Sequence, residues 1–199
     1  MTTTSIAVAY HSGFGHTRVL AEAVVRGITS GGAEAHLLAV DALTDADWST
    51  LDAADAIVFG APTYMGGASA GFHTFAEQTS KRYLEGRWRD KLAAGFTNSG
   101  SKSGDKSNTL AFLCAFAYQH QMIWVSLGLM PGWNFTTSSE HDLNRLGFWT
   151  GAAAQTHNDS PAEDVHPSDV ATAEHLGRRV AGQARVVVAG RGVLAGSTR

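Results

Sequence analysis

Ala7-Val8-Ala9-Tyr10-His11-Ser12-Gly13-Phe14-Gly15-His16-Thr17 couples an apolar strand to a small loop of glycines and hydroxyls, and helical spacing begins at His16. Such a loop brings successive backbone N–H groups, the unpaired donors of the helix start and the hydroxyls of Ser12 and Thr17 to one point. The helix dipole favours negative charge there. The chemistry is that of a phosphate site. A nucleoside triphosphate loop needs G-x-x-x-x-G-K-[ST] so that a lysine reaches the outer phosphates, and this loop has no lysine. The dinucleotide pattern G-x-G-x-x-G fails as well, because Arg18 stands where its third glycine belongs. What remains is a terminal phosphate monoester held by neutral donors, the group with which flavin mononucleotide (FMN) ends. Read alone, the same residues also make an ordinary strand-to-helix connection capped by Ser12 or His16.

Around this loop, short apolar runs alternate with longer amphipathic segments, the pattern of strands joined by helices around a parallel sheet buried on both faces. Strands are expected at Ser5–Tyr10, Ala33–Val40, Ala56–Gly60, Leu92–Thr97 and Met122–Leu127. The first helix is expected over His16–Ser30, where Leu20, Ala23, Val24 and Ile28 share a face and Gly31-Gly32 stops the run. Further helices are expected near Asp45–Ala53, Ser69–Thr79, Lys106–His120 and Ser168–Val186. Between them, residues 128–167 form a long, poorly periodic stretch rich in Gly, Asn, Thr, Ser and Asp, a length more often functional than idle. Trp124 reads as core within a strand. Trp133, Phe135, Phe148 and Trp149 read either as flanks of a ligand or as a satellite cluster that holds the segment down.

The 199 residues, 44% hydrophobic and 17% charged, provide a full core for one α/β domain over residues 1–190, with 191–199 as a flexible tail. A net charge of −3 without a basic run argues against a nucleic-acid groove. No apolar stretch reaches the roughly 20 residues that span a bilayer. One cysteine, Cys114, excludes a disulfide within the chain and fits a reduced, cytoplasmic setting.

In open parallel sheets, ligands bind beyond the carboxyl ends of the strands, where strand order reverses. Three loops meet that condition: His11–Thr17, Ala61–Gly67 and Asn98–Gly104. The second carries a stiffening Pro62, a donor in Thr63, and the large flat or polarisable Tyr64 and Met65 beside Gly66, a combination suited to an aromatic ring. The third is nearly all backbone and hydroxyl, suited to the polar edge of a heterocycle.

Tyr10-x-Ser12-x-x-Gly15-His16-Thr17, Pro62-Thr63-x-x-Gly66-x-x-Ser69, Thr97-Asn98-Ser99-Gly100 and Phe75-x-x-Gln78-Thr79 together resemble the flavodoxin-like superfamily, in particular its WrbA-type NAD(P)H:quinone oxidoreductases and FMN reductases. The resemblance covers most of residues 5–127. It implies a three-layer α/β/α sandwich with a five-stranded parallel sheet in order 2-1-3-4-5. It also implies bound FMN, NADH or NADPH as co-substrate, a quinone or similar small acceptor, and a homodimer or homotetramer. Carried over, Ser12, Phe14, Gly15, His16 and Thr17 would hold the phosphate. Pro62, Thr63, Tyr64, Met65 and Gly66 would hold the ring and ribityl chain, and Thr97, Asn98, Ser99 and Gly100 the ring's polar edge. His120 corresponds to a family histidine near the flavin's pyrimidine end and is the candidate catalytic residue. As the last residue of a helix it would equally complement the helix dipole. Tyr64-Met65 replaces a basic and an aromatic residue often found there, and Lys102 and Lys106 interrupt a usually glycine-rich stretch.

Two other readings remain open. A flavodoxin-type one-electron carrier shares the fold, although carriers of this type are strongly acidic and −3 is modest. His157, Asp159, Glu163, Asp164 and His166 have metal-ligating side chains, but Pro161 and Pro167 break any helix that would align them, so no metal site is expected.

Overall fold

Ile6, Val8 and Tyr10 face one side of strand β1 (Ser5–Tyr10) and Ala7 and Ala9 the other, and all five are buried. This period-2 alternation of apolar residues on both faces makes β1 a central strand. The computed structural model describes residues 3–197. After β1 come α1 (His16–Ser30), β2 (Glu34–Ala39), α2 (Asp45–Ala53), β3 (Ala56–Tyr64), β4 (Gly67–Ala68), α3 (Ala70–Gln78) and α4 (Ser80–Leu84). Then follow β5 (Leu92–Ser99), α5 (Lys106–Gln119), β6 (Ile123–Trp124), β7 (Ala152–Gln155), a 3-10 turn at Ala162–Asp164, and α6 (Pro167–Ser197).

The parallel sheet runs β2-β1-β3-β5-β6, with β7 also parallel to β5. This is the expected order, β5 and β6 being the fourth and fifth parallel strands. Helices α1 and α6 cover one face over Val8, Val58, Ala94 and Phe96. The other face buries Ile57, Phe59 and Ala93 under Phe72 and Phe75 of α3, Leu113 and Phe116 of α5, and Trp88. Helices α1 and α6 cross at glycines: a Cβ on Gly27 would lie 2.0 Å from the Glu174 carbonyl oxygen, and one on Gly177 would lie 2.1 Å from that of Val24. Only hydrogen at both positions lets the backbones meet.

Three expectations are corrected. Strand β3 continues past Gly60 to Tyr64, and its end folds back on β4 through Met65-Gly66, both at positive φ (49° and 83°). That is the two-residue hairpin geometry matching sheet twist, and it pushes Met65 fully into solvent. The fifth strand is not continuous over Met122–Leu127. β6 pairs with Leu92–Ala93 at the foot of β5, the chain leaves the sheet, and β7 returns beside Phe96–Ser99. The run Ala152-Ala153-Ala154 has little strand propensity, but small side chains fit between β5 and α6, so burial decides its conformation. The helix expected over Ser69–Thr79 is α3, capped at Ser69 and Thr79, and the short α4 follows it directly. Finally, α6 runs on to Ser197, so most of the expected tail is helical, carried beyond its packing by Ala, Val, Leu and Arg.

Candidate functional site

The strand ends of β1, β3, β5 and β7 open on one edge of the sheet, and the loops that leave them enclose a cavity of about 320 Å³. Phe14, His16 and Thr17 line it from the first loop, Pro62, Thr63 and Tyr64 from the second, and Asn98, Ser99 and Gly100 from the third.

Gly15, at φ +91°, turns the first loop into α1. The amides of Phe14, Gly15, His16 and Thr17 find no acceptor among the described residues, while Ser12 Oγ accepts the Arg18 N–H at 3.2 Å. Four open donors at a helix start are an anion cradle. His16 Nε2 donates to the Ser160 carbonyl at 2.9 Å, tying this loop to the chain that follows β7.

Thr63 Oγ1 bonds both Thr97 Oγ1 and Thr109 Oγ1, each at 2.8 Å and buried. This hydroxyl cluster fixes the ends of β3 and β5 against α5, so the second and third loops keep one spacing. Thr97 thus lies beneath the cavity and does not line it. Tyr64 leans from the second loop across the first: its hydroxyl lies close over Gly13, and its ring meets Phe14 edge-on with centroids 6.1 Å apart. Burial raises the Tyr64 phenol above its ordinary pKa and keeps it neutral. Met65 and Gly66 stand at the hairpin tip outside the cavity, held by Asn108 Nδ2 donating to the Gly66 carbonyl at 3.3 Å.

The fourth wall was missed by the sequence reading. Thr156 and Asn158 complete the lining, with Thr156 Oγ1 donating to Asn98 Oδ1 at 3.0 Å in a buried contact. The available signal was the polar turn Asn158-Asp159-Ser160-Pro161, but nothing in it reveals that β7 delivers it to this edge. Of the acidic and histidine residues around it, His157, Asp164 and His166 line a separate groove. Among the described residues, no three His, Cys, Asp or Glu side chains come together as a metal set.

His120 does not line this cavity. It lies at the amino ends of β5 and β6, a strand length or roughly 20 Å from the cavity. Its ring packs on Trp88 at 4.5 Å and meets Phe116 at 4.9 Å, and Nε2 bonds Thr79 Oγ1 at 2.9 Å. A larger groove of about 630 Å³ beside α2 also has little to offer a ligand. Its Asp52 is already bonded by Arg82, Arg87 and the Trp88 indole.

A cradle of free amides after β1, an aromatic hairpin after β3 and a hydroxyl-lined edge after β5 agree with what comparison with known proteins finds, since residues 8–130 match the family described as NADPH-dependent FMN reductase. The chain belongs to the NADPH-dependent FMN reductase family. It is 42% identical over 177 residues to Flavodoxin FldP of Pseudomonas aeruginosa, covering 87% of this chain and 93% of that protein. It is 31% identical over 198 residues to an NAD(P)H dehydrogenase (quinone) of Archaeoglobus fulgidus, covering 88% and 95%. Among solved structures, a flavodoxin, WrbA-like protein from Agrobacterium tumefaciens superposes with a TM-score of 0.72 at 40% identity, over 92% of this chain and 98% of that one. The chain is therefore a flavodoxin-like, WrbA-type member of the FMN reductase family. The open amides and the uncharged hydroxyls of its cavity fit the phosphate and polar edge of FMN, and no helix among the described residues is long and apolar enough to cross a membrane.

Proposed function

We propose that this chain is an FMN-dependent oxidoreductase that takes two electrons from NADH or NADPH and delivers them to a quinone or similar small acceptor. The observation that carries this reading is the convergence of three loops on one cavity, with four unpaired amides at its phosphate end. Relatives named NAD(P)H dehydrogenase (quinone) support it. FMN, when bound, supplies the hydride chemistry.

The protein's part is binding and orientation. The amides of Phe14–Thr17 with the Thr17 hydroxyl hold the phosphate, and Ser12 steadies their loop by accepting from Arg18. Gly15 gives that loop its turn. Pro62, Thr63 and Tyr64 bound the ring and ribityl chain. Asn98, Ser99 and Gly100 meet the polar edge, with Thr97 locking them from below and Thr156 and Asn158 closing the far side. Met65 and Gly66 form the rim that an incoming planar substrate meets. Hydride chemistry supplied by a flavin requires no side-chain nucleophile.

The second reading, a one-electron carrier, is favoured by the 42% identity to a protein named flavodoxin. Anaerobic mixing separates the two. Prompt loss of the oxidised flavin's visible absorbance with NADH or NADPH, and its return on adding a quinone, is expected. No response to either nucleotide, with reduction only by a one-electron donor, would establish the carrier. Met130, Trp133, Phe135 and Trp149 are exposed on the excursion between β6 and β7, an apolar surface that supports assembly as a homodimer or homotetramer. Light scattering tests it.

A further inference from the structure

Two lysine side chains in this chain are buried, and each gathers three backbone carbonyls. Lys91 Nζ donates to the carbonyls of Leu51, Asp52 and Ala54 at 3.2, 2.6 and 2.6 Å, closing the end of α2 at the foot of the sheet. Lys106, fully buried at the start of α5, does the same at the opposite edge. Its Nζ donates to the carbonyls of Ser101, Lys102 and Ser103 at 2.6, 3.0 and 3.3 Å.

The second arrangement has a consequence that the first lacks. Every peptide bond described is trans, and across a trans peptide the C=O of one residue and the N–H of the next point in opposite directions. Carbonyls 101–103 aimed inward at one ammonium therefore turn the amides of Lys102, Ser103 and Gly104 outward. None of these amides has an acceptor among the described residues. They sit in an exposed loop that continues directly from Ser99 and Gly100 of the cavity wall, and Ser99 Oγ also donates to the Ser101 carbonyl at 3.2 Å. From the other side, Gln155 Nε2 donates to the Gly100 carbonyl at 2.8 Å.

We propose that Lys106 is a positioning residue for flavin binding: it holds the 100–104 loop from beneath, so that the loop presents outward-facing amides at the edge of the cavity where the flavin's polar edge lies. The assignment rests on the FMN reading above and names the residue that shapes this wall. It explains a lysine in a stretch that otherwise needs only glycine and serine.

Burial lowers the Lys106 ammonium from the ordinary lysine range to about 8. The charged groups facing it are Asp169 of α6, which favours its charge, and Arg145 of the β6–β7 excursion, which opposes it. Lys102 and Asp105 flank it on its own loop. The carbonyl clamp is strongest while the ammonium is charged. As pH rises through about 8 the clamp weakens, whereas the second ionisation of the FMN phosphate, near pH ~6, is already complete.

The experiment titrates FMN into wild type, K106M and K91M between pH 6.5 and 9.5, and times trypsin cleavage after Lys102 in the FMN-free proteins. At pH 7, K106M is expected to bind FMN about 10- to 100-fold more weakly, the scale of lost hydrogen bonds to a charged donor, and K91M within about 3-fold of wild type. Wild-type affinity falls toward the K106M value above pH 8, and the K106M profile stays flat. Cleavage after Lys102 is faster in K106M by about 10-fold and unchanged in K91M. Equal FMN affinity and a shared pH profile for wild type and K106M would overturn the assignment while leaving the cofactor reading intact. A wild type that binds no FMN would overturn both. If K106M does not fold, the wild-type profile decides, since affinity constant from pH 7 to 9.5 refutes the clamp.

Discussion

At His120, the Thr79 hydroxyl donates to the Ala76 carbonyl at 2.6 Å, so the imidazole must donate to Thr79 Oγ1 through a protonated Nε2. That leaves Nδ1 bare, buried and without a partner. Taking a proton there would place a charge among Trp88, Phe116 and Tyr83, and burial accordingly lowers its pKa to about 4. The folded state keeps this ring neutral, whereas the unfolded chain protonates it near 6.5. Between those values the unfolded chain binds more protons, so stability is complete above about pH 6.5 and drains as pH falls toward 4, by on the order of 3 kcal/mol. Denaturant midpoints at pH 7.5 and 4.5 should show His120→Phe losing less stability over this interval than wild type. Equal losses would mean that other groups control the acid limb. The same geometry separates this residue from the cavity within the chain. Standing before β6, it sits at that strand's amino end, opposite the carboxyl ends where the cavity opens.

Between β6 and β7 the chain leaves the sheet for residues 125–151, and the pair Arg145–Asp169 fastens this excursion to the start of α6. Both bonds of the pair are 2.8 Å, from Nε and Nη2 to the two carboxylate oxygens, and Asp169 also accepts the Gln155 N–H at 3.0 Å. Asn144 adds the turn itself, with its Oδ1 accepting from the Phe148 N–H and its own N–H donating to Thr172 Oγ1. Arg145→Ala would leave a buried carboxylate with one backbone donor, a loss of about 3 to 5 kcal/mol. Replacing both partners, Arg145→Met with Asp169→Leu, should recover most of it. Thermal melts of the three proteins measure this. A single variant as stable as wild type would show that the pair carries no net energy. Because Gln155 also holds Gly100, the single variant should bind FMN more weakly too. The element pattern up to β5 was legible, since Ile6, Val8, Leu20 and Val24 repeat at the right periods. The excursion was not, because Arg145, Asp169 and the three alanines of β7 acquire their roles only from partners distant in sequence.

Taken as a whole molecule, the cavity draws its walls from residues 14–17, 62–64, 98–100 and 156–158, and these stretches meet only when the sheet is assembled. A ligand seated there binds the folded state alone and must stabilise the entire domain by mass action, by about 2.7 kcal/mol at 100 times its Kd. For a domain of this size each kcal/mol raises Tm by roughly 2 to 4 °C, so FMN at that concentration should raise it by roughly 5 to 10 °C. Riboflavin keeps the ring and ribityl chain but has no group for the four amides of Phe14–Thr17. At the same concentration it should give less than about half the FMN shift, because charge-assisted hydrogen bonds to the phosphate are the strong ones. Inorganic phosphate should reduce the FMN shift by competing for the same cradle. Equal shifts from FMN and riboflavin would refute the phosphate assignment even where flavin binds, and would leave the loop after β1 as a plain helix connection.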